Sequence, residues 1–236
     1  MVGQASLILP WSVAWRTSAR LIGWLPFAGS AVTVALGLAL AASTWHQEGF
    51  PSPAPRVVEV IVPLVFGIQA AFLLSPDSEP PLELLLTCPR PLAWALLERL
   101  AALIALLGCV ALAGNLAALA LPEAQNLPLA VIRWLAPCVG IGGAALFTTQ
   151  MTRQGVFGAL LATLLWGGML FGFDSLLTRW PFLWPLHVYL QPETAGLIIY
   201  MLNRATLTFV GAGLTALAVY LLHDEERVLG MRGARA

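Results

Sequence analysis

The chain contains no lysine, and only 10% of its 236 residues are charged. Soluble domains usually carry about 25% charged residues. With 59% apolar residues and a mean hydropathy of +0.83, a water-soluble fold of this length has too little polar surface to cover itself. A bilayer removes that requirement, because lipid solvates the apolar faces. All twelve basic residues are arginine, which fits a codon bias toward GC-rich genomes. The formal net charge is zero, so no basic patch argues for nucleic acid.

Cysteine is also sparse. Cys88, Cys109 and Cys138 have neither metal-ligand nor redox-pair spacing and read as small apolar filler. The three histidines, His46, His187 and His223, fall near predicted helix ends. None accompanies a serine in a GxSxG setting, and there is no HExxH motif, so neither a serine hydrolase nor a metalloenzyme is expected. His187 reads as an interfacial residue, with contact to a substrate or haem as the alternative. A GxxxxGK[ST] phosphate loop is absent, so nucleotide binding of that kind is not expected on this chain. Residues 1–10 lack a positive n-region, so a cleaved signal is not expected.

What the sequence does have is long apolar runs. A membrane helix needs about 20 largely apolar residues to cross a core of about 30 Å. Six candidates meet that need, over about 24–44, 57–74, 100–121, 130–149, 156–173 and 205–222. Pro26, Pro63 and Pro137 are placed near the starts of the first, second and fourth, where the first turn has spare N–H groups. With the N-terminus inside, eight arginines (16, 20, 90, 99, 153, 227, 232, 235) face the cytoplasm and four (56, 133, 179, 204) face outward. That bias predicts both termini inside. Trp24, Trp45, Trp134 and Trp180 fall near span ends, as aromatic-belt residues do. Small residues cluster at Gly140, Gly142 and Gly143, at Gly168 with Gly172, and at Gly211 with Gly213, and suit close helix contact within the chain.

Three segments are not simple spans. Residues 10–22 are amphipathic: Trp11, Trp15, Ser18 and Ile22 share one face, and Arg16 and Arg20 point the other way. A helix lying in the cytoplasmic interface fits that pattern; a plain extension of the first span is the alternative. Residues 75–91 read SPDSEPPLELLLTCPRP. Ser78 is a plausible N-cap, and Pro89 and Pro91 end the element. Between them lies a short cytoplasmic helix, with Leu82, Leu85 and Leu86 on one face and Glu79 and Glu83 beside it. It suits docking into another protein; a loop that merely turns the chain is the alternative. Residues 174–203 are aromatic, apolar and broken by Pro181, Pro185 and Pro192. They predict short elements dipping back into the outer leaflet, with a surface-lying helix as the alternative.

Polar residues inside spans are costly and therefore informative. Glu59 follows Arg56 by three residues, a spacing that allows an ion pair on one helical face. Gln69 and Asn115 lie deeper, as interhelical hydrogen-bonding groups or as part of a substrate path. The run Asp224-Glu225-Glu226-Arg227 reads as a solvated cytoplasmic terminus.

The 75–99 segment resembles the permease subunits of type-2 ABC exporters, and among them the cytochrome c maturation permease type. Asp77, the pair Leu82-Glu83, the leucines 84–86, Pro89 and Arg99 stand in that family's order and similar spacing. One departure is that Ser78-Glu79-Pro80-Pro81 replaces the usual glycine after the acid. The resemblance implies one all-α permease domain over residues 1–236. Six transmembrane helices with both termini inside would be joined by an interfacial N-terminal helix, a coupling helix over 78–89 and re-entrant helices before span six. It implies a dimer, homo- or heteromeric, that docks a separate ATPase through Asp77, Glu79, Leu82, Glu83, Leu85, Leu86 and Arg90. ATP and magnesium would belong to that partner, with no cofactor on this chain, in a bacterial cytoplasmic membrane. A non-transporting scaffold subunit of a respiratory or photosynthetic complex is the alternative; it has no need of a capped docking helix.

Overall fold

The computed structural model describes residues 24–44, 54–73, 75, 92–118, 127–171, 187–190 and 196–222. The interfacial residues Trp11, Trp15, Arg16 and Arg20 lie outside that set, as do the coupling residues Asp77, Glu79, Leu82, Glu83, Leu85, Leu86 and Arg90. The described residues form six helices and no strand: α1 Trp24–Thr44, α2 Ala54–Phe72, α3 Leu92–Ala118, α4 Leu127–Thr152, α5 Gly155–Phe171 and α6 Leu197–Leu221. Each corresponds to one apolar run in the sequence.

Helices α3, α4 and α6 are long and apolar enough to cross a membrane. The apolar stretches of α1, α2 and α5 are shorter. A membrane environment also explains what the surface shows. Ile198 is 85% exposed, Phe209 79% and Tyr220 73%, on a helix that buries only its opposite face. Exposed hydroxyls are hidden within their own helices: Thr33 donates to the Gly29 carbonyl and Thr163 to that of Ala159. Such back-bonding satisfies a donor that lipid cannot.

Helices α2 and α4 form the spine. Helix α6 lies along α4, α5 packs on both α2 and α4, and α1 and α3 lie on the other side of α2. Gly140 and Gly143 of α4 face Leu207 and Gly211 of α6 in the same order, and Glu59 near the start of α2 meets Arg204 near the start of α6, so α2, α4 and α6 run in one direction. Arg99 near the start of α3 meets the end of α2, and Trp166 near the end of α5 meets the start of α2, so α3 and α5 run oppositely. One core joins α1, α2, α3, α4 and the end of α6 around Val62, Leu103 and Leu146; a second joins α2, α4, α5 and α6 around Ile141, Ala162 and Leu207.

The structure corrects three expectations. Helix α3 begins at Leu92 rather than at 100, so Glu98 and Arg99 are helical. Helix α6 begins at Leu197 rather than at 205, so residues 197–202 belong to it and not to a separate short element. Pro63 and Pro137 lie in the interiors of α2 and α4, both fully buried, rather than near helix starts. An interior proline withholds one N–H and crowds the carbonyl four residues back. Neighbouring helices can re-satisfy a turn loosened in this way. In the turn before Pro63 the indole Nε1–H of Trp166 donates at 2.8 Å to the carbonyl of Val60, three residues back.

Candidate functional site

Two clusters of buried polar groups stand at opposite ends of the bundle. Fourteen residues separate Glu59 from Leu73 along α2, a rise of about 21 Å.

The first cluster surrounds Arg204 in the second turn of α6. Arg204 is 2% exposed. An arginine that deep needs a countercharge and acceptors for its remaining N–H groups. Nη2 donates to Glu59 Oε1 of α2 at 2.8 Å and to the Leu190 carbonyl at 3.1 Å, and Nη1 donates to the Val188 carbonyl at 2.6 Å. The guanidinium also lies over the Tyr200 ring, 4.8 Å from its centroid, the stacking that a planar, weakly hydrated cation favours. Beside it, Asn203 Nδ2 donates to the His187 carbonyl at 3.0 Å. The sequence expects a pair between Glu59 and Arg56, whose side chain lies outside the described set; the described ion pair of Glu59 runs to Arg204, from a helix 145 positions away.

The acceptors belong to a short non-helical turn, residues 187–190, which is buried between the helices. Val188 packs in the second core against α2, α4, α5 and α6, with Tyr189 at its margin. His187 is buried; its Nδ1 accepts the Tyr189 N–H at 3.1 Å, closing the turn on itself. Burial pushes the Tyr189 phenol well above its ordinary pKa, the Glu59 carboxylate adds to the shift, and Arg204 opposes it.

Among the residues singled out from sequence, Glu59 is thus at the centre of a site. Gln69 is ten residues further along α2, about 15 Å in rise, and half-buried. Asn115 is 2% exposed in α3, with no hydrogen-bond partner for its Nδ2. Asn203, Arg204, Tyr200 and Tyr189 were missed. The signal was present: Arg204 lies between two apolar runs, and a buried arginine calls for an in-span acid such as Glu59.

The second cluster is at the opposite end, where α2 stops. Arg99, 6% exposed, reaches from α3 to donate Nη1–H to the Leu73 carbonyl at 2.6 Å. Two residues later the Ser75 hydroxyl accepts the backbone N–H of Gly155, the first residue of α5, at 2.9 Å. The α4–α5 connection is tight there. Arg153 adopts a left-handed backbone (φ 61°) and returns its N–H to the Thr149 carbonyl at 2.7 Å. Both contacts lie at the exits of the 76–91 segment, one on each side of the chain that enters and leaves it.

Between the clusters, a cleft of about 430 Å³ opens among α2, α3, α4 and α6. Its walls are apolar, with Phe66, Leu100, Ile104, Leu146 and Val219 prominent. The one hydroxyl among them, of Thr215, donates to the Gly211 carbonyl of its own helix. Among the described residues no group of histidine, cysteine and acidic side chains could hold a metal ion. Comparison with protein-family models, with curated proteins and with solved structures gives no match.

Proposed function

We propose that this chain is the transmembrane subunit of an ATP-driven exporter of the type-2 ABC class, and that a separate ATPase docks on the 78–89 segment. The observation that carries the reading is the clasp where that segment leaves and re-enters the bundle. Arg99 ties the start of α3 to the end of α2, and Ser75 ties the end of α2 to the α4–α5 turn. A displacement applied to the segment therefore reaches α2, α3, α4 and α5 together. A scaffold subunit has no use for such a joint.

On this reading the clasp end faces the cytoplasm and the Arg204 cluster faces outward, in a bacterial cytoplasmic membrane, with two such subunits forming the pathway. The arginine bias supports that orientation. The apolar cleft between α3 and α6 gives the hydrocarbon part of a substrate a place to lie. The test is affinity purification of the tagged chain from its native membrane in mild detergent. A phosphate-loop ATPase should come with it in near-equal amount. Recovery of respiratory or photosynthetic subunits without an ATPase would replace this reading with the scaffold one.

A further inference from the structure

The geometry points to residues 187–190 as a plug in one end of the helix bundle, held shut by the arginine fork of α6. This goes beyond the exporter reading and rests on the local geometry alone.

The turn brings three backbone carbonyls, those of His187, Val188 and Leu190, into an interior where water cannot serve them. No helix or strand of its own satisfies them, so donors must come from elsewhere. All three described donors come from two consecutive residues of one helix, Asn203 and Arg204. Arg204 also needs a countercharge at that depth, and Glu59 on α2 supplies it through the same Nη2 that holds Leu190. Plug, fork and countercharge depend on one another. Without Arg204, the Val188 and Leu190 carbonyls and the Glu59 carboxylate all lose a buried partner together. Without the plug, Arg204 keeps its ion pair and loses both carbonyls.

This mutual dependence predicts that the turn is released as a unit when the fork is lost. Its hydrophobic anchors, Val188 and Leu190, are 5% exposed. Val188 packs among α2, α4, α5 and α6, and loss of the backbone pairing should free it. A simple structural ion pair would need only complementary charge at positions 59 and 204. A plug latch needs arginine at 204 in particular, because the two Nη atoms of its planar fork hold a carboxylate and two carbonyls in fixed directions; an ammonium gathers its three donors on one atom that does not span the same acceptors, and a carboxylate donates nothing.

The experiment uses the full chain in lipid nanodiscs, where both membrane faces are open to reagent, with Cys88, Cys109 and Cys138 replaced by alanine. A single cysteine at Val188→Cys reports plug exposure through its rate of reaction with a charged maleimide. The parent should react slowly. Arg204→Gln should react at least tenfold faster, and Arg204→Lys at an intermediate rate. The charge swap Glu59→Arg with Arg204→Glu should also react fast, because it restores the pair but not the carbonyl donors. Slow labelling in Arg204→Gln would overturn the plug. So would a swap that returns labelling to the parent rate, since charge pairing alone would then suffice. If Arg204→Gln does not accumulate, Arg204→Lys carries the test: it keeps the charge and loses the planar fork, and an unchanged rate refutes the latch.

Discussion

Helices α4 and α6 meet backbone to backbone, and replacing one glycine by alanine there should part them. A Cβ on Gly211 would run into the Val139 carbonyl and stand 2.7 Å from the Gly140 nitrogen; a Cβ on Gly143 would run into the Gly211 carbonyl and stand 2.9 Å from its Cα. Every obstacle is main chain, so no rotamer change relieves it. The helices must separate by about 0.5–1 Å, which forfeits a quarter to a half of the dispersion energy of each contact along the seam. Overpacking of this kind costs about 1–3 kcal/mol, and rigid obstacles on both sides place Gly211→Ala and Gly143→Ala at the upper end. The double variant should cost clearly less than the sum, because helices already parted by the first methyl admit the second. Gly213→Ala is the matched control. It sits two residues along the same helix, on the face where an added Cβ meets nothing within 4 Å. Its helix propensity should leave stability unchanged or raised by up to about 1 kcal/mol. The assay is unfolding of the detergent-solubilised protein by dodecyl sulfate, followed by tryptophan fluorescence. Equal midpoints for Gly211→Ala and Gly213→Ala would refute the close α4–α6 seam and, with it, the placement of Arg204 two turns up the same buried face.

Three further outcomes follow from the same geometry and from the exporter reading. Glu59→Ala leaves the Arg204 charge without its carboxylate and should destabilise the fold by about 3–5 kcal/mol; a shift of under about 0.5 kcal/mol in the same unfolding assay would show the pair to be hydrated. Leu85→Ala with Leu86→Ala should weaken capture of the ATPase by more than tenfold, since truncated interface anchors cost about 2 kcal/mol or more and each 1.4 kcal/mol is about tenfold; undiminished capture at normal yield would remove the docking helix. Tags on both termini should be cleaved by protease in sealed inside-out vesicles, and protection of either tag would refute the shared cytoplasmic placement.

Hydropathy located the helices but misjudged where two of them begin, and both errors have one physical cause. The first helix is read at 24–44 and found there, because nothing charged interrupts it. The third is read from 100 and begins at Leu92; the sixth is read from 205 and begins at Leu197. In each case the expected start falls just after an arginine, Arg99 or Arg204. A hydropathy window charges such a residue the full cost of leaving water. The fold offsets that cost with an acceptor far along the chain: the Leu73 carbonyl for Arg99, and Glu59 with the 187–190 carbonyls for Arg204. The same blindness put Pro63 and Pro137 at helix starts, since periodicity cannot show that Trp166 attends the turn below Pro63.

Glu59 was legible because an acid inside an apolar run is rare and costly enough to demand a reason. Its pairing with Arg204 was not, because that arginine lies 145 positions away in sequence. The general consequence concerns how intramembrane charge should be read. A local i,i+3 pair can satisfy two charges at a wet interface, where each also keeps water. At full burial an arginine has five donors to place and a single carboxylate cannot take them all. Backbone that is not helical is the richest remaining source of acceptors, since helical carbonyls are already engaged. A buried arginine in a membrane helix therefore points to an acid on another helix and to an irregular segment within reach. Here the irregular segment is the turn at 187–190, whose carbonyls take the donors of Asn203 and Arg204 that Glu59 does not.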